Sequence, residues 1–413
     1  RSEPLLKFRP APPPGDILDH DGRSFLLPSE DHHLLARASY LWRSGCTARS
    51  ALGSITDSSA LGRTCRGRGL RGRQHGGYRG KHIPLALDPF IFLRYAKELL
   101  ATGSLAAVDM FRYFPNGYEQ IGEFSLLTHY IVYLYKFLHF FNSALTLEYI
   151  HIIYPALTFS LTLIFFFLLV RKLFESRVAL LATAYLAAIP ILLYRTMGGF
   201  SDKESLALFL FVLTFYFYVS ALLNPHRSKS IIFGLLAGIV TGLMGLIWGG
   251  VQFVFLIFGF FGLIEIVLGK FTNNDLYTYA SWSILASIII FTFSGRYALN
   301  SVLSPYFGTA YFVLFLGLLD YLIRHHNLFH LKTKFHTKFP RGILSLCLTI
   351  LLAFLFIIVT QGFSFITNTI SGQISSLINP FAVSRWGVTV AESHQPYFRD
   401  IVGQLGKTYV FLF

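Results

Sequence analysis

A chain of 413 residues with 54% apolar and 14% charged residues and a mean hydropathy of +0.54 has too little polar surface for a soluble domain, so it reads as a polytopic membrane protein. Its formal net charge of +14 would suit nucleic acid, but the basic residues lie in the N-terminal stretch and in short loops between apolar runs, so no nucleic-acid partner is expected. Three cysteines exclude a disulfide framework: Cys46 and Cys65 could pair only in an oxidising compartment, and Cys347, inside an apolar run, reads as a small core residue.

Residues 1–80 differ from everything after them. They begin Pro-rich (Pro10 to Pro14), end Arg/Gly-rich (Arg63 to Gly80), and hold no apolar stretch for a signal peptide. Such a composition buries too little apolar surface to order itself, so the segment reads as disordered or aberrant. One patch, Ser29 to Arg37, is more organised, and its Asp31 is a rival for the first functional acid.

Residues 81–145 read as a first outer loop with interfacial helices. Asp88 and Pro89 read as N-cap and first residue of an amphipathic helix that runs to Thr102 and stops at Gly103. After a polar, aromatic loop, Phe124 to Phe141 reads as a semi-apolar helix along the interface. An all-α transmembrane bundle is expected over 146–361. Its spans are placed at Tyr149–Val170, Ala179–Tyr194, Leu206–Leu223, Ile231–Trp248, Val251–Leu268, Tyr277–Phe293, Tyr306–Ile323 and Ile343–Thr360, about eight complete helices. A long outer loop, 362–402, follows, and 403–413 reads as the start of a truncated last helix. Within the bundle, Gly234, Gly238 and Gly242 form a small-residue ridge for close helix packing.

The loops fix an orientation. Arg171, Lys172 and Arg177, then His226, Arg227 and Lys229, then Lys270, then the stretch Arg324 to Arg341 all fall on one side if every span crosses once. The positive-inside rule makes that side cytoplasmic. His325, His326, His330 and His336 lie there among lysines and read as a solvated basic loop rather than a metal tract. Asp88, the turn Arg195-Thr196-Met197-Gly198-Gly199-Phe200-Ser201-Asp202-Lys203-Glu204 and the loop carrying Glu392 then share the extracytoplasmic face.

Carboxylates cost roughly several kcal/mol if drawn into hydrocarbon without a partner, so the Asp202-x-Glu204 pair placed this close to it implies a cation. Glu392, near Thr389 and His394, supplies a third carboxylate, and oxygen ligands with water suit Mg²⁺ or Mn²⁺.

Four stretches resemble one family, the catalytic subunit of oligosaccharyltransferase. Leu87-Asp88-Pro89 with Leu93-Arg94-Tyr95 looks like its first acidic motif, and Arg195 to Glu204 like its second. Trp248-Gly249-Gly250 resembles a Trp-Gly-Gly motif, and Thr389-Val390-Ala391-Glu392 with His394-Gln395-Pro396 resembles the mobile-loop motif. The resemblance spans residues 82–413 and implies a GT-C-fold membrane glycosyltransferase. Its donor would be an oligosaccharide on a polyprenyl (dolichyl) phosphate or diphosphate, and its acceptor the Asn of Asn-x-Ser/Thr in a polypeptide. Asp88, Asp202, Glu204 and Glu392 would hold the metal. Asp88, Glu392 and Arg195 would act in catalysis, and Arg195, Trp248 and His394 would bind substrate.

The resemblance further implies a multi-pass enzyme of a prokaryotic cell membrane or the ER membrane, in contact with membrane lipid, here without the C-terminal soluble domain that reads the acceptor. Two other functions stay open. A different GT-C polyprenyl-phosphate-sugar transferase would share the outer acids but not the Glu392 motif. A transporter would bury ionisable groups at mid-membrane, where only Glu265 and Asp320 are candidates, and both read as lying near helix ends or paired across helices.

Overall fold

The computed structural model describes residues 17–18, 24–25, 77–78, 81–119, 126–298, 301–302, 304–326, 341–378, 397–407 and 410. Contacts divide the chain into two units, Arg1–Arg73 and Gln74–Phe413. In the first, the described residues are an antiparallel strand pair, β1 (Ile17–Leu18) with β2 (Ser24–Phe25). Ser29 to Arg37, Asp31, Cys46 and Cys65 lie outside the described residues.

The second unit is helical, with two further short strand pairs: β3 (Gly77–Tyr78) with β4 (Lys81–His82), and β5 (Val108–Asp109) with β6 (Tyr118–Glu119). Helix α1 covers Asp88–Thr102 and ends at Gly103, whose left-handed φ of 80° lets its N–H reach the Leu99 carbonyl. Its N-cap is Leu87, not Asp88 as the sequence suggested. Asp88 already has helical backbone and is exposed, so it does not serve as the cap of α1.

Asp109 fixes the loop after α1. Its buried carboxylate accepts from both terminal nitrogens of Arg94, from the Tyr95 hydroxyl at 2.8 Å and from the Phe111 N–H at 3.0 Å. The Arg94 hydrogen bonds hold the Asp109 carboxyl well below the usual carboxylate range, and Arg94 is raised in return. The Arg94-Tyr95 pair therefore serves to bind β5 to α1.

Helix α2 (Leu126–Phe141) precedes the bundle: α3 (Leu147–Leu173), α4 (Ser176–Ala188), α5 (Pro190–Thr196), α6 (Lys203–Leu222), α7 (Arg227–Gly245), α8 (Val251–Val267), α9 (Asn273–Phe293), α10 (Pro305–His326) and α11 (Arg341–Gln361). Every expected span falls on a helix, but not every one is a full straight span. Among the described residues six helices are long and apolar enough to cross a membrane, or seven if α4 and α5 are one span. Those two are bent by 67° at Pro190, which has no amide hydrogen and clashes with the preceding turn. α8 is shorter, at 17 residues. The stretch expected to be loop after Gln361 instead begins with a helix, α12 (Phe363–Ile378), whose Ile366, Ile370, Ile374 and Leu377 recur at helical spacing. Helix α13 (Phe398–Leu405) follows beyond residues that are not described.

The glycine ridge packs as expected. A Cβ at Gly238 would lie 2.7 Å from the Trp282 carbonyl oxygen, and one at Gly242 would lie 2.7 Å from Ile289 Cβ, so α7 and α9 meet backbone to backbone. Trp282, fully buried, donates its indole N–H to Thr241 at 2.9 Å. Cys347 is exposed on α11 rather than in the core.

One end of the bundle is basic and closed by polar contacts. Arg227 lies 3.7 Å over the Tyr277 ring, Asn274 donates to the Asn224 carbonyl at 3.3 Å, and Arg324 donates to the Phe271 carbonyl at 3.1 Å. Asp320 pairs there with Arg324 at 2.9 Å and accepts from Ser345 on α11 at 3.1 Å. It is thus a paired acid near a helix end, not a mid-membrane site.

Arg94→Met should destabilise the 104–119 loop more than Asp109→Ala does. The first leaves a carboxylate buried and unpaired, at a cost of about 3 kcal/mol, whereas the second leaves an arginine with a path to water. Because the Asp109 pKa is depressed, its contribution is complete above the unfolded value and is lost only as pH falls through the folded one. Hydrogen exchange at residues 108–119, corrected for intrinsic rates, should therefore stay protected from neutral pH down through the ordinary carboxylate range.

Candidate functional site

The site is built from a proline inside a span. Pro155 lies within α3 and has no amide hydrogen, so the His151 carbonyl one turn earlier loses its helical donor. The hydroxyl of Ser201 donates to that carbonyl instead. The next carbonyl, Ile152, accepts from the Gly199 N–H at 2.9 Å, and the Tyr154 hydroxyl donates to the Asp202 carbonyl at 2.6 Å. One turn further along α3, Ser205 donates to the Pro155 carbonyl at 2.8 Å. Residues 199–205 are therefore clamped to α3 along one turn.

The same turn holds the first acidic segment. The Leu85 N–H donates to the Gly199 carbonyl at 2.9 Å, and the His151 side chain reaches the Pro89 carbonyl at 3.0 Å. Since that carbonyl can only accept, Nε2 of His151 carries the proton. Gly199 has φ of 94°, and a Cβ on it would come 2.8 Å from Leu85 Cγ, so glycine is required on both counts.

Within this frame Asp202 is buried and caps α6. Its carboxylate accepts from the Lys203 N–H at 2.6 Å and lies 3.5 Å from the Lys203 ammonium. Glu204, in the first turn of α6, is half-buried. One of its oxygens is 3.6 Å from Arg195, while Oε2 is buried with no hydrogen-bond partner among the described residues. Arg195 also lies over the Phe200 ring at 5.1 Å, which fixes the guanidinium beside the acids.

Arg195, Glu204 and Trp248 share a cavity of about 420 Å³ whose remaining walls include Leu208, Phe211 and Phe253. It is an apolar slot with an ionic end. The Trp248-Gly249-Gly250 spacing serves this cavity, because a Cβ at Gly250 would lie 2.2 Å from the Trp248 ring.

Of the residues singled out from the sequence, Arg195, Glu204 and Trp248 meet in the cavity, and Asp202 adjoins them in the turn. Asp88 lies in the segment bonded to that turn. Glu392 and His394 lie outside the described residues. Among the described residues, no group of three or more His, Cys, Asp or Glu side chains is close enough to hold one ion. Sequence reading missed His151, Tyr154, Pro155 and Ser201; the available signal was a proline in an apolar span one turn after a histidine.

Residues 77–402 match the family described as oligosaccharyl transferase STT3, N-terminal. The rice dolichyl-diphosphooligosaccharide–protein glycosyltransferase subunit STT3A is 24% identical over 246 residues, 57% of this chain and 30% of that protein. The dolichyl-phosphooligosaccharide-protein glycotransferase of Methanococcus voltae is 27% identical over 216 residues, 48% of this chain and 23% of that protein. The apo oligosaccharyltransferase of Archaeoglobus fulgidus superposes with a TM-score of 0.59 at 20% identity, over 78% of this chain and 40% of that one. Structures of that enzyme with an inhibitory peptide and a dolichol-phosphate, and with zinc and sulfate, give TM-scores of 0.57 and 0.55. At such identity the superpositions show the shared fold, a multi-pass GT-C membrane bundle.

The chain belongs to the oligosaccharyl transferase STT3 family, as the match over most of its length shows. It spans less than a third of the curated relatives it matches.

Glu204→Gln should raise the melting temperature in EDTA, because it removes charge from a buried, unpartnered oxygen beside Asp202 at the cost of one partly exposed ion pair. The same substitution should abolish any further rise on adding Mn²⁺. A variant with lower stability in EDTA and an unchanged Mn²⁺ response would contradict this reading of Glu204.

Proposed function

We propose that this chain carries the donor and metal part of an oligosaccharyltransferase, which moves an oligosaccharide from a polyprenyl (dolichyl) phosphate or diphosphate to the side-chain amide of Asn in Asn-x-Ser/Thr. The observation that carries this is the cavity joining Arg195, Glu204 and Trp248 to apolar walls, next to the acid-bearing turn. A polyprenyl phosphate has the matching division, an anionic head and an apolar tail. The related Archaeoglobus enzyme has been solved with a dolichol-phosphate and a peptide, which supports both partners.

The residues fit a divalent cation. Glu204 Oε2 is buried without a partner, two carboxylates adjoin, and their oxygen chemistry suits Mg²⁺ or Mn²⁺. The zinc complex of the Archaeoglobus enzyme supports metal use in the family. Asp202 and Glu204 would hold the ion, with Asp88 and Glu392 completing the set. Bound there, the metal would supply positive charge to the departing phosphate.

The protein's own groups account for the rest. Arg195 pairs with Glu204 and faces the cavity, so its guanidinium neutralises the phosphate as the anomeric C–O bond breaks. An amide nitrogen is a poor nucleophile because its lone pair is conjugated. Asp88 and Glu392 accept its N–H groups, weaken that conjugation and take the proton released as the C–N bond forms. Asp88 is free for this role because it is exposed and does not serve as the cap of α1. By the basic-loop rule, the opposite end of the bundle faces the cytoplasm and this site the exterior or lumen.

Transfer of a labelled lipid-linked glycan to an Asn-x-Thr peptide by the membrane-extracted protein should require Mn²⁺ or Mg²⁺ and stop in EDTA. Asp202→Ala and Asp88→Ala should each lower it by about 100-fold or more, the scale of losing a principal electrostatic group. Full transfer by either variant would overturn the assignment.

A further inference from the structure

We infer that His151 is the positioning residue that sets the register of the two acid-bearing segments, 85–89 and 199–202, against each other; the inference rests on the function proposed above for those acids. Its imidazole is fully buried on α3 and donates through Nε2 to the Pro89 carbonyl, next to Asp88. Its backbone carbonyl, freed by Pro155, accepts the hydroxyl of Ser201, next to Asp202. One residue thus holds both segments, each within one peptide unit of a functional acid.

Two further bonds close the frame. Ile152 accepts from Gly199, and Gly199 accepts from Leu85, both at 2.9 Å. Among the described residues, the imidazole is the one side chain of this circuit that hydrogen-bonds to the first segment; the other hydrogen bonds use backbone groups and the Ser201 hydroxyl. The Nδ1 atom is buried without a partner, so the ring is tolerated with half of its polar capacity unused. An apolar ring of similar shape would relieve that cost. Its loss of the Pro89 bond would leave the Leu85–Gly199 bond as the one hydrogen bond of this circuit that holds the 85–89 segment.

A histidine serving only the packing of α3 would be replaceable by phenylalanine. A registering histidine would not, because the carbonyl of Pro89 needs a donor at that point. The register matters because carboxylates must converge within coordination distance of one ion, and an error of about 1 Å in such a site is costly.

The test compares His151→Phe, His151→Gln and Ser201→Ala in the protein extracted from its native membrane. Hydrogen exchange is read without reference to activity. In His151→Phe, amides of residues 85–90 and 197–202 should lose protection by tenfold or more, while those of α7 and α9 stay as in the wild type. His151→Gln, which keeps a side-chain donor, should restore most of the protection. The Mn²⁺ concentration for half-maximal thermal stabilisation should rise at least tenfold in His151→Phe and in Ser201→Ala.

Wild-type exchange and wild-type Mn²⁺ response in His151→Phe would overturn the inference, as would an equal loss of protection across the whole bundle in His151→Gln. If the wild type forms no glycopeptide yet His151→Phe loosens both segments, the proposed function fails and the register role stands. Should His151→Phe not fold, Ser201→Ala and His151→Gln decide the question by the same two readouts.

Discussion

Pro155 removes one hydrogen from the middle of a helix, and the His151 carbonyl left behind must find a donor elsewhere. A buried, unpaired carbonyl costs about 1–3 kcal/mol, so the chain is constrained to bring a donor to it. Ser201 supplies one. That single requirement places the turn 199–202 against α3, and the bonds of Tyr154 and Ser205 then lock it beside Pro155. The apolar span and the polar turn are thus parts of one structure, in which the defect in the span provides the acceptors that hold the turn.

Electrostatics builds on that frame. Asp202 is satisfied by the first amide of α6, while Glu204 keeps one buried oxygen unpartnered despite the nearby Arg195. Lys203 and Arg195 lie beside the pair, yet among the described residues one buried carboxylate oxygen is short of a donor. Such a deficit is costly in the unliganded state and favourable once a cation or a cation-bound phosphate arrives, which is the usual trade of stability for function at a binding site. The cavity beside it continues from Arg195 and Glu204 along apolar walls, so head and tail of the proposed lipid-linked donor would meet surfaces of their own kind.

The apolar helices were legible in the sequence because hydropathy is a local property, although the second expected span falls on two helices and six or seven of the eight expected spans are long and apolar enough to cross among the described residues. The acid turn and Trp248-Gly249-Gly250 were legible because their chemistry is unusual for their surroundings. Less local features were missed. Pro190 bends the second span, though a continuous apolar run masked the break. The helix Phe363–Ile378 was taken as loop because polar residues between its isoleucines lowered the mean hydropathy. Asp88 was read as a cap, but the helix begins one residue earlier. Asp109 gave no signal, and His151 gave only the indirect one of Pro155 a turn later, since their importance lies in partners fifteen and sixty-two residues away.

The claim beneath all of this is that acids remote in sequence are gathered at one cation by the hydrogen-bonded frame around His151. The most direct measurement is anomalous diffraction at the manganese edge from crystals of the protein grown with Mn²⁺ and a polyprenyl phosphate. One peak should appear beside Glu204 Oε2, within coordination distance of Asp202, with the Asp88 carboxylate turned toward it. A peak elsewhere, or an Asp88 side chain directed to another face while manganese sits at Glu204, would contradict the account.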